Sequence, residues 1–390
     1  MKIAILTSGG VDRSGVERVI PCLLWLIERL VKAGDEVHVF ALSQEDQPGT
    51  WGLNGATIHN AGRRRSGRTM FAQLMAEHRR GPFQIIHSSW SVVAHMIAVL
   101  AGRILGVPSL VYLCNRELAH FPDIATPQSS RLGRMMVRFA LDQATRVAAS
   151  SDPTVEQARR VGVAATRLPF GIALDHWPPS PPRRRDPGRP ARLLHVGAIV
   201  PIKDHELLLQ TLEGLKAMGA DFQIDIVGED VSGEDWVRRR VDALGLGDRV
   251  RFPGFVPHHE LRALFLEADL QLVTSRHEGA PLVVLEAAVA GVPTVGTRVG
   301  HLAEWAPDAA RIVDPRDAQG LVQAVIEILA DEDARIALAR QAQQRALAED
   351  ADATSRRFRA LYADLDSARR QAGLWPKPSP RPATPTACQL

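Results

Sequence analysis

The sequence is poor in cysteine: Cys22, Cys114 and Cys388 are the three it has, and they lie far apart. This spacing supports neither a disulfide framework nor a zinc site, so we expect a protein of a reducing compartment. Long hydrophobic runs are missing too, since none approaches the roughly 18 apolar residues of a spanning helix. The apolar start before Thr7 is too short for a signal peptide and is typical of a buried strand. These absences predict a cytoplasmic protein and leave peripheral membrane contact open.

An excess of charge of one sign is also missing. The formal net charge is +3, which is too small for a general nucleic-acid-binding protein. Apolar residues make up 45% and charged residues 23% of the chain, the composition of an ordinary globular protein. A length of 390 residues predicts two domains rather than one core.

Short apolar runs alternate with helical patterns along the chain. Lys2 to Leu6 is predicted to be a strand, Glu17 to Ala33 an amphipathic helix that Gly34 ends, and Glu36 to Leu42 the next strand. The same alternation starts again near Leu193. Such a rhythm builds a doubly wound parallel sheet, so we expect an α/β protein with two Rossmann-like domains.

Composition sets the expected domain boundaries. Residues 178–190 lie in a stretch rich in proline and arginine that can continue neither a helix nor a central strand, which makes it the expected linker. We therefore predict an N-terminal domain over 1–177 and a C-terminal domain over 191–350. Residues 351–372 are expected to form a helix that could return to the first domain, and 373–390 to form a disordered tail.

The stretch RHEGAPLVVLEAAVAGVPTVG, residues 276–296, has two carboxylates beside residues that are otherwise apolar and typical of a buried core. A strand is predicted to end before it, and Pro281 suits the first position of a helix. Free N–H groups at that helix start would bind an anion, and Gly279 would allow close approach. Glu278 and Glu286 would then flank the anion and accept hydrogen bonds from sugar hydroxyls. A nucleotide sugar, with a hexose on one side of a diphosphate and a ribose on the other, has these features.

This segment resembles the E-x7-E signature of the family-4 retaining glycosyltransferases, the "glycosyl transferases group 1" type, which have the GT-B fold. The resemblance extends from Met1 to about Leu361. It implies two Rossmann-like domains that face a cleft, an acceptor-binding domain over 1–177 and a nucleotide-sugar-binding domain over 191–350. It also implies that Glu278 contacts the donor sugar and Glu286 the ribose. It further implies that donor contacts come from Gly279, Ala280, Pro281, Leu282 and Val283.

Other segments extend the resemblance. LLHVGAIVPIKDHELLLQTL, residues 193–212, resembles the family's diphosphate-binding element and implies that Gly197 and Lys203 contact the donor, although Ala198 stands where the family usually has arginine. SGGVDRSGVERVI, residues 8–20, resembles the N-terminal glycine loop and implies a donor contact at Gly15. Residues 252–275 resemble the family's segment that lines the pocket for the nucleotide base, which implies a donor contact at Val256.

The acceptor side departs from the family. Many relatives have a histidine after the strand that here ends at about Leu113, and this position falls on Cys114 or Asn115. Both are retained as acceptor-side candidates, although neither is a proton shuttle in the way histidine is. His87, His95 and His120 are nearby in sequence and are interpreted as structural or surface residues.

Two further patterns bear on metals and membranes. Asp350 and Asp352, like Asp364 and Asp366, have D-x-D spacing, but they lie in a polar helical region and are interpreted as helix surface rather than metal ligands. RLGRMMVRF, residues 131–139, interleaves arginine with apolar residues; it is an ordinary amphipathic helix or a contact with anionic lipid or a phosphorylated acceptor.

The expected activity is transfer of a hexose-type sugar from a nucleotide diphosphate sugar, a UDP-sugar above all, to an acceptor hydroxyl with retention of configuration. Lys203 and Glu278 are the catalytic candidates, and neither a metal nor a cofactor is expected. The acceptor would belong to polysaccharide, glycolipid or glycoside synthesis. Alternatives are a nucleotide-sugar epimerase or glycosyl phosphorylase of the same fold, and a non-catalytic nucleotide-sugar-binding protein.

Overall fold

The computed structural model describes residues 1–114, 116–231 and 233–372. The chain divides into two compact units, and each is built on one largely parallel sheet. The first unit contains residues 1–170 and the helix that begins at Ala351, and the second contains residues 171–350. Within the described ranges no helix combines the length and the apolar character that crossing a bilayer requires.

The regular elements follow the alternation expected from the sequence. The strands are β1 (Lys2–Thr7), β2 (Glu36–Ala41), β3 (Gly49–Leu53), β4 (Ala56–Asn60), β5 (Ile85–Ser88), β6 (Ser109–Leu113), β7 (Arg146–Ala149), β8 (Thr166–Arg167), β9 (Ala191–Val196), β10 (Phe222–Val227), β11 (Val250–Gly254), β12 (Leu270–Val273), β13 (Thr294–Thr297) and β14 (Arg311–Val313). The helices are α1 (Pro21–Lys32), α2 (Ser66–Arg80), α3 (Val92–Leu105), α4 (Arg131–Gln143), α5 (Asp152–Arg160), α6 (His205–Ala217), α7 (Trp236–Ala243), α8 (His258–Glu267), α9 (Leu282–Val289), α10 (Gly300–Trp305), α11 (Ala318–Ala330), α12 (Glu332–Ala348) and α13 (Ala351–Ala372). Short 3-10 turns occupy Pro127–Ser129 and Pro201–Lys203.

The sheet of the first unit has the strand order β3-β4-β2-β1-β5-β6-β7-β8. All neighbours are parallel except the β3–β4 hairpin. Both faces of β1 are buried, since Ile3 and Ile5 pack with α1 and α13, and Ala4 and Leu6 pack with α2 and α3. A strand buried on both sides is continuously apolar, as the first residues of the sequence are.

Helix α1 begins later than the sequence predicts, at Pro21 rather than Glu17. The chain before it is a loop in which Arg18 has a left-handed backbone with φ +49°. Proline suits the first helical position because its missing N–H would be unpaired there. The loop bonds described below hold residues 8–20 outside the helix.

Helix α13 packs against the N-terminal part of the first unit. Arg29 Nε of α1 donates to Asp352 at 3.2 Å, and Arg359 Nε donates to Asp35 at 2.9 Å. The hydroxyl of Tyr362 lies 2.8 Å from Nδ1 of His87, a residue of β5. The chain therefore builds one face of its first sheet from residues at both ends of the sequence.

The sheet of the second unit is wholly parallel, in the order β11-β10-β9-β12-β13-β14. Its core combines strand residues such as Leu193, Ile224 and Val295 with leucines of α6 and α11. Residues 171–177 belong to this unit, so the division of the chain falls after Phe170.

The segment expected to be a linker lies along the second unit. Arg183 and Arg189 both pair with Asp269, whose side chain is fully buried, at 3.2 and 2.7 Å. The main-chain N–H of Ser180 donates to the carbonyl of Val289 at 3.0 Å. The two arginines anchor the proline-rich segment to the second unit, because the buried carboxylate of Asp269 needs charged partners.

Candidate functional site

The second sheet reverses its winding between β9 and β12. Because these strands are neighbours and the chain moves outward from each of them, their following loops leave the carboxyl edge side by side. Open α/β sheets bind ligands at such a switch point. The two loops are tied together, since Arg276 N–H donates to the Ile202 carbonyl at 2.8 Å and Thr274 Oγ1 donates to the Lys203 carbonyl at 2.9 Å.

Lys203 and Glu278 form an ion pair across these loops. Nζ of the lysine lies 2.5 Å from Oε1 of the glutamate, and Oγ of Ser275 donates to the same oxygen at 2.7 Å. The side chains are 22% and 17% exposed, so a ligand can reach both. An ammonium group binds phosphate and a carboxylate accepts hydrogen bonds from hydroxyls, so the pair offers complementary groups to a phosphorylated sugar.

Two glycines allow the close packing of this site. A Cβ atom on Gly197 would lie 3.3 Å from Cδ of Lys203, so the lysine stem passes directly over the strand end. Gly300 has φ +44°, and a Cβ atom there would lie 2.6 Å from Cδ of Pro281. The start of α10 is thereby pressed against the turn that precedes α9.

Helix α9 begins directly after Pro281, which is its N-cap and provides no side-chain cap. The sequence predicts that this proline is the first helical residue, whereas in the structure it is the N-cap and Leu282 is the first helical residue. Gly279 is buried in the turn, while Ala280, Leu282 and Val283 are half-buried. The first-turn N–H groups of an uncapped helix favour an anion, and here they follow closely on Glu278.

Glu286 is 2% exposed and lies one turn inside α9. Its Oε1 is 2.8 Å from Nε2 of His258, and its main-chain carbonyl accepts from the indole of Trp177 at 3.1 Å. The rings of Trp177 and His258 are 4.9 Å apart. Oε2 is buried and has no hydrogen-bond partner among the described residues. A carboxylate oxygen in that position is costly unless a donor reaches it, and a ligand hydroxyl is such a donor.

His258 and Trp177 are contacts that the sequence analysis missed. His258 stands two residues after Val256, in the segment interpreted as the base pocket, and Val256 itself is half-buried. The sequence offers a weak signal for the histidine, namely its place at the start of a helix after a strand. It offers none for the tryptophan, which lies at the edge of the proline-rich stretch.

Two buried histidines lie beneath the lysine-bearing loop. The rings of His195 and His205 are 4.9 Å apart and nearly perpendicular. Burial and then the charge of Lys203 lower the pKa of His205 to about 4, and burial together with His205 holds the pKa of His195 well below its usual value. Both rings are neutral at pH 7, so Lys203 supplies positive charge here and they do not.

The glycine loop of the first unit, residues 8–20, is organised around Asp12. The carboxylate accepts from the N–H of Ser14 at 3.0 Å and from Gln44 Nε2 at 3.3 Å, and it pairs with Arg18. Burial opposes the ionised form, but the bonds from Ser14 and the charge of Arg18 outweigh it and lower the pKa of Asp12. Gly15 makes the tight turn with φ +67°. Its contact with a donor stays a prediction.

The acceptor-side candidates follow β6. Cys114 is half-buried, and burial with the nearby Glu117 raises the pKa of its thiol well above the usual value. It is therefore a neutral thiol at pH 7. Asn115 lies outside the described residues. His87 is fully buried, its two ring nitrogens bonded to Tyr362 and Ser89, and burial lowers its pKa to about 3.

One carboxylate of each D-x-D pair has an arginine partner. Asp352 pairs with Arg29 at 3.2 Å, and Asp366 pairs with Arg370 at 2.7 Å. Asp366 is buried rather than solvated, which differs from the surface interpretation of its sequence. Carboxylates held by arginine are poor metal ligands, because the guanidinium occupies their lone pairs.

Two doubly wound α/β units, one of which presents a lysine–glutamate pair beside a helix start, are the features expected of a GT-B glycosyltransferase. Residues 180–345 match the family described as Glycosyl transferases group 1, and residues 15–170 match the Glycosyl transferase 4-like domain. The chain therefore contains a Glycosyl transferases group 1 domain and a Glycosyl transferase 4-like domain, which together cover most of it, and the predicted family membership and GT-B fold are confirmed.

Individual relatives agree with this assignment. Glycogen synthase from Mycobacterium tuberculosis is 28% identical over 324 residues, which cover 81% of this chain and 75% of that protein. Sucrose-phosphate synthase from Thermosynechococcus elongatus has a TM-score of 0.79 at 22% identity, covering 94% of this chain and 100% of the other. Anabaena HepE in complex with UDP-glucose has a TM-score of 0.72 at 18% identity, covering 93% and 100%. The two solved structures share the fold with this chain.

Proposed function

We propose that this protein is a retaining glycosyltransferase that moves a hexose from a nucleotide diphosphate sugar to an acceptor hydroxyl. The observation that carries the proposal is the 2.5 Å pair of Lys203 and Glu278 at the strand ends, next to the uncapped start of α9. Cationic and hydroxyl-accepting groups stand together there, as a donor with charged phosphates and a neutral sugar requires.

Donor binding would rearrange this pair. The diphosphate would lie against the first N–H groups of α9 and take the place of Glu278 as the partner of Lys203. Glu278 would then accept hydrogen bonds from hydroxyls of the hexose. Glu286, whose Oε2 is buried and has no partner among the described residues, would accept from the ribose. Gly15, Gly197 and Val256 remain proposed donor contacts.

The charge that develops on the leaving diphosphate would be stabilised by Lys203 and the helix start, so we propose a reaction that needs neither a metal nor a cofactor. The acceptor oxygen would bond to the anomeric carbon on the face from which the phosphate oxygen leaves, and that oxygen would take the acceptor's proton. The neutral thiol of Cys114 and the fully bonded His87 are consistent with a proton that passes to the leaving group.

We infer a uridine donor, with support from the structural likeness to HepE in its complex with UDP-glucose. Nucleotide sugars are intracellular metabolites, so the reaction would take place in the cytoplasm, with peripheral membrane contact open to a lipid-linked acceptor. The product would be a polysaccharide, a glycolipid or a small glycoside.

The test begins with a melting-temperature screen against UDP-, GDP- and ADP-sugars, since ligand at about 100 times its Kd adds about 2.7 kcal/mol of stability. Nucleoside diphosphate release is then measured with a panel of sugar and lipid-linked acceptors, and NMR of the product gives the anomeric configuration. Acceptor-dependent release with retention is the expected result. Interconversion of the donor without an acceptor would indicate an epimerase, and stabilisation without release on any acceptor would indicate a binding protein.

A further inference from the structure

Helices α2, α3 and α4 cover the same face of the first sheet. Leu6, Ser88 and Val111 are paired neighbours on β1, β5 and β6, so their side chains share that face. Leu6 packs in one cluster with residues of α2 and α3, and Val111 packs in another with residues of α3 and α4. The outer sides of these three helices therefore form one continuous layer that faces away from the sheet.

This layer exposes large apolar side chains on one face of α3 and on one face of α4. Spacings of seven and four residues on α3, and of three and four on α4, place each set on a single helix face. The exposed fractions are 39% for Val93, 46% for Leu100, 58% for Ile104, 67% for Leu132, 67% for Met135 and 40% for Phe139. We call these six residues the α3/α4 stripe. Monomeric proteins rarely leave so many large apolar residues together on one surface.

Arginines border the α3/α4 stripe. A Cβ atom at Gly67 would lie 3.4 Å from Cγ1 of Val93, so the start of α2 lies against the stripe. That start and helices α3 and α4 carry exposed arginines: Arg63, Arg64, Arg65, Arg68, Arg103, Arg131 and Arg134. Arg138 is half-buried, and Arg63 pairs with Asp46 at 3.5 Å. The acidic residues of the three helices are Glu77 and Asp142, and each pairs with an arginine of its own helix. The surface is thus apolar at its centre and cationic around it.

We propose that the α3/α4 stripe and its arginines dock the protein on an anionic lipid bilayer. Leu132, Met135 and Phe139 would enter the boundary between headgroups and acyl chains, while the arginines remain at the headgroup phosphates. Charge favours this occupant over a second copy of the chain, because two such faces would bring like-charged arginines together. The surface goes beyond the short amphipathic segment seen in the sequence, since α3 contributes half of the apolar residues.

Sedimentation of the full chain with vesicles tests the proposal. Vesicles of phosphatidylcholine with about 30% phosphatidylglycerol are compared with pure phosphatidylcholine, at low and high salt. The variant L132S/M135S/F139S removes apolar contact, and R63Q/R64Q/R65Q removes charge. The matched control M218S/V231S changes two residues of the second unit that are 66% and 65% exposed. All these positions lie at the surface, so we expect each variant to fold. Melting temperatures check this expectation.

We expect binding to the anionic vesicles that weakens in salt. The apolar variant should bind at least about tenfold more weakly, and the arginine variant should lose about fivefold per arginine. The control should bind like the wild type. Failure of the wild type to bind anionic vesicles, or an apolar variant that binds unchanged, would overturn the proposal. A wild-type dimer that the apolar variant converts to a monomer would assign the surface to a second copy instead.

Discussion

The loops that follow the first strand of each sheet use their charged residues in opposite ways. In the first unit Asp12 pairs with Arg18 of the same loop, and Gln44, which follows β2, bonds to both of them and to the N–H of Val11. In the second unit Lys203 binds Glu278, a residue of a different loop, and both stay partly exposed. The same topology therefore pairs the charged side chains within one loop in the first unit and across two loops in the second.

The difference follows from the partners available at each strand end. In the second sheet the neighbouring strand β12 carries a glutamate-bearing turn and an uncapped helix, so the lysine finds its partner across the switch point. In the first unit Asp12 finds its charged partner within the loop and takes a further hydrogen bond from Gln44. We therefore expect the charged groups of the reaction to come from the second unit.

The largest expected effect is that of Lys203→Met, which removes the charge but keeps the stem. We expect kcat/KM to fall by about 100- to 1,000-fold, because a group that stabilises developing charge is lost. Nucleoside diphosphate release measures the change. Arg18→Met, in the loop of the first unit, should cost less than about tenfold. Equal losses at both positions would abolish the distinction between the two loops.

A second test uses the buried histidines of the second unit. The pKa of His205 is about 4 in the folded protein and 6.5 in an ordinary histidine. Between these pH values the unfolded chain therefore binds more protons than the folded protein. Stability falls as the pH falls through this range. Between pH 7 and pH 5 the loss attributable to His205 is about 2 kcal/mol. Urea unfolding at both pH values should show a smaller loss for His205→Gln. A variant as acid-sensitive as the wild type would contradict this account.

The contact between His258 and Glu286 sharpens the picture of the donor site. His258→Leu removes the group that holds Oε1 of the glutamate, and we expect the donor KM to rise about tenfold while kcat changes less. His258→Gln, which can still donate, should recover part of the loss. His259→Leu is the matched control, because its side chain is 67% exposed and pairs with Glu260. Similar effects at both histidines would remove the positioning role.

The smallest effect is expected in the loop of the first unit. Asp12→Asn weakens charged hydrogen bonds in a buried place, and we expect a loss of about 1 kcal/mol of stability with little change in donor KM. Glu45→Gln, which breaks an exposed pair with Arg13, should lie within about 0.5 kcal/mol of the wild type. Thermal unfolding and donor kinetics give both quantities. A large rise in KM for Asp12→Asn would make this loop part of the donor site.

Much of the fold was predictable because helical and strand periodicities are local. The positions of β1, β2, α6 and α9 follow from apolar spacing and from glycine and proline at their ends. The β3–β4 hairpin was missed, since β3 is mostly exposed or half-buried and carries a weak apolar pattern. The start of α1 was misplaced because side-chain bonds to Asp12, which propensity does not encode, hold the preceding residues in a loop.

The candidate site divides in the same way. The sequence by itself determined the alternation of strands and helices and the two carboxylates, eight positions apart, that flank a strand-to-helix turn. Only the tertiary structure decided that Lys203 pairs with Glu278, 75 residues further along the chain, and that His258 bonds to Glu286. It also decided that α13 packs on α1, where the bonded residues are 323 positions apart. Periodicity arises between near neighbours in the chain, whereas these contacts depend on strand order and packing, which bring distant segments together only when the whole sheet has formed.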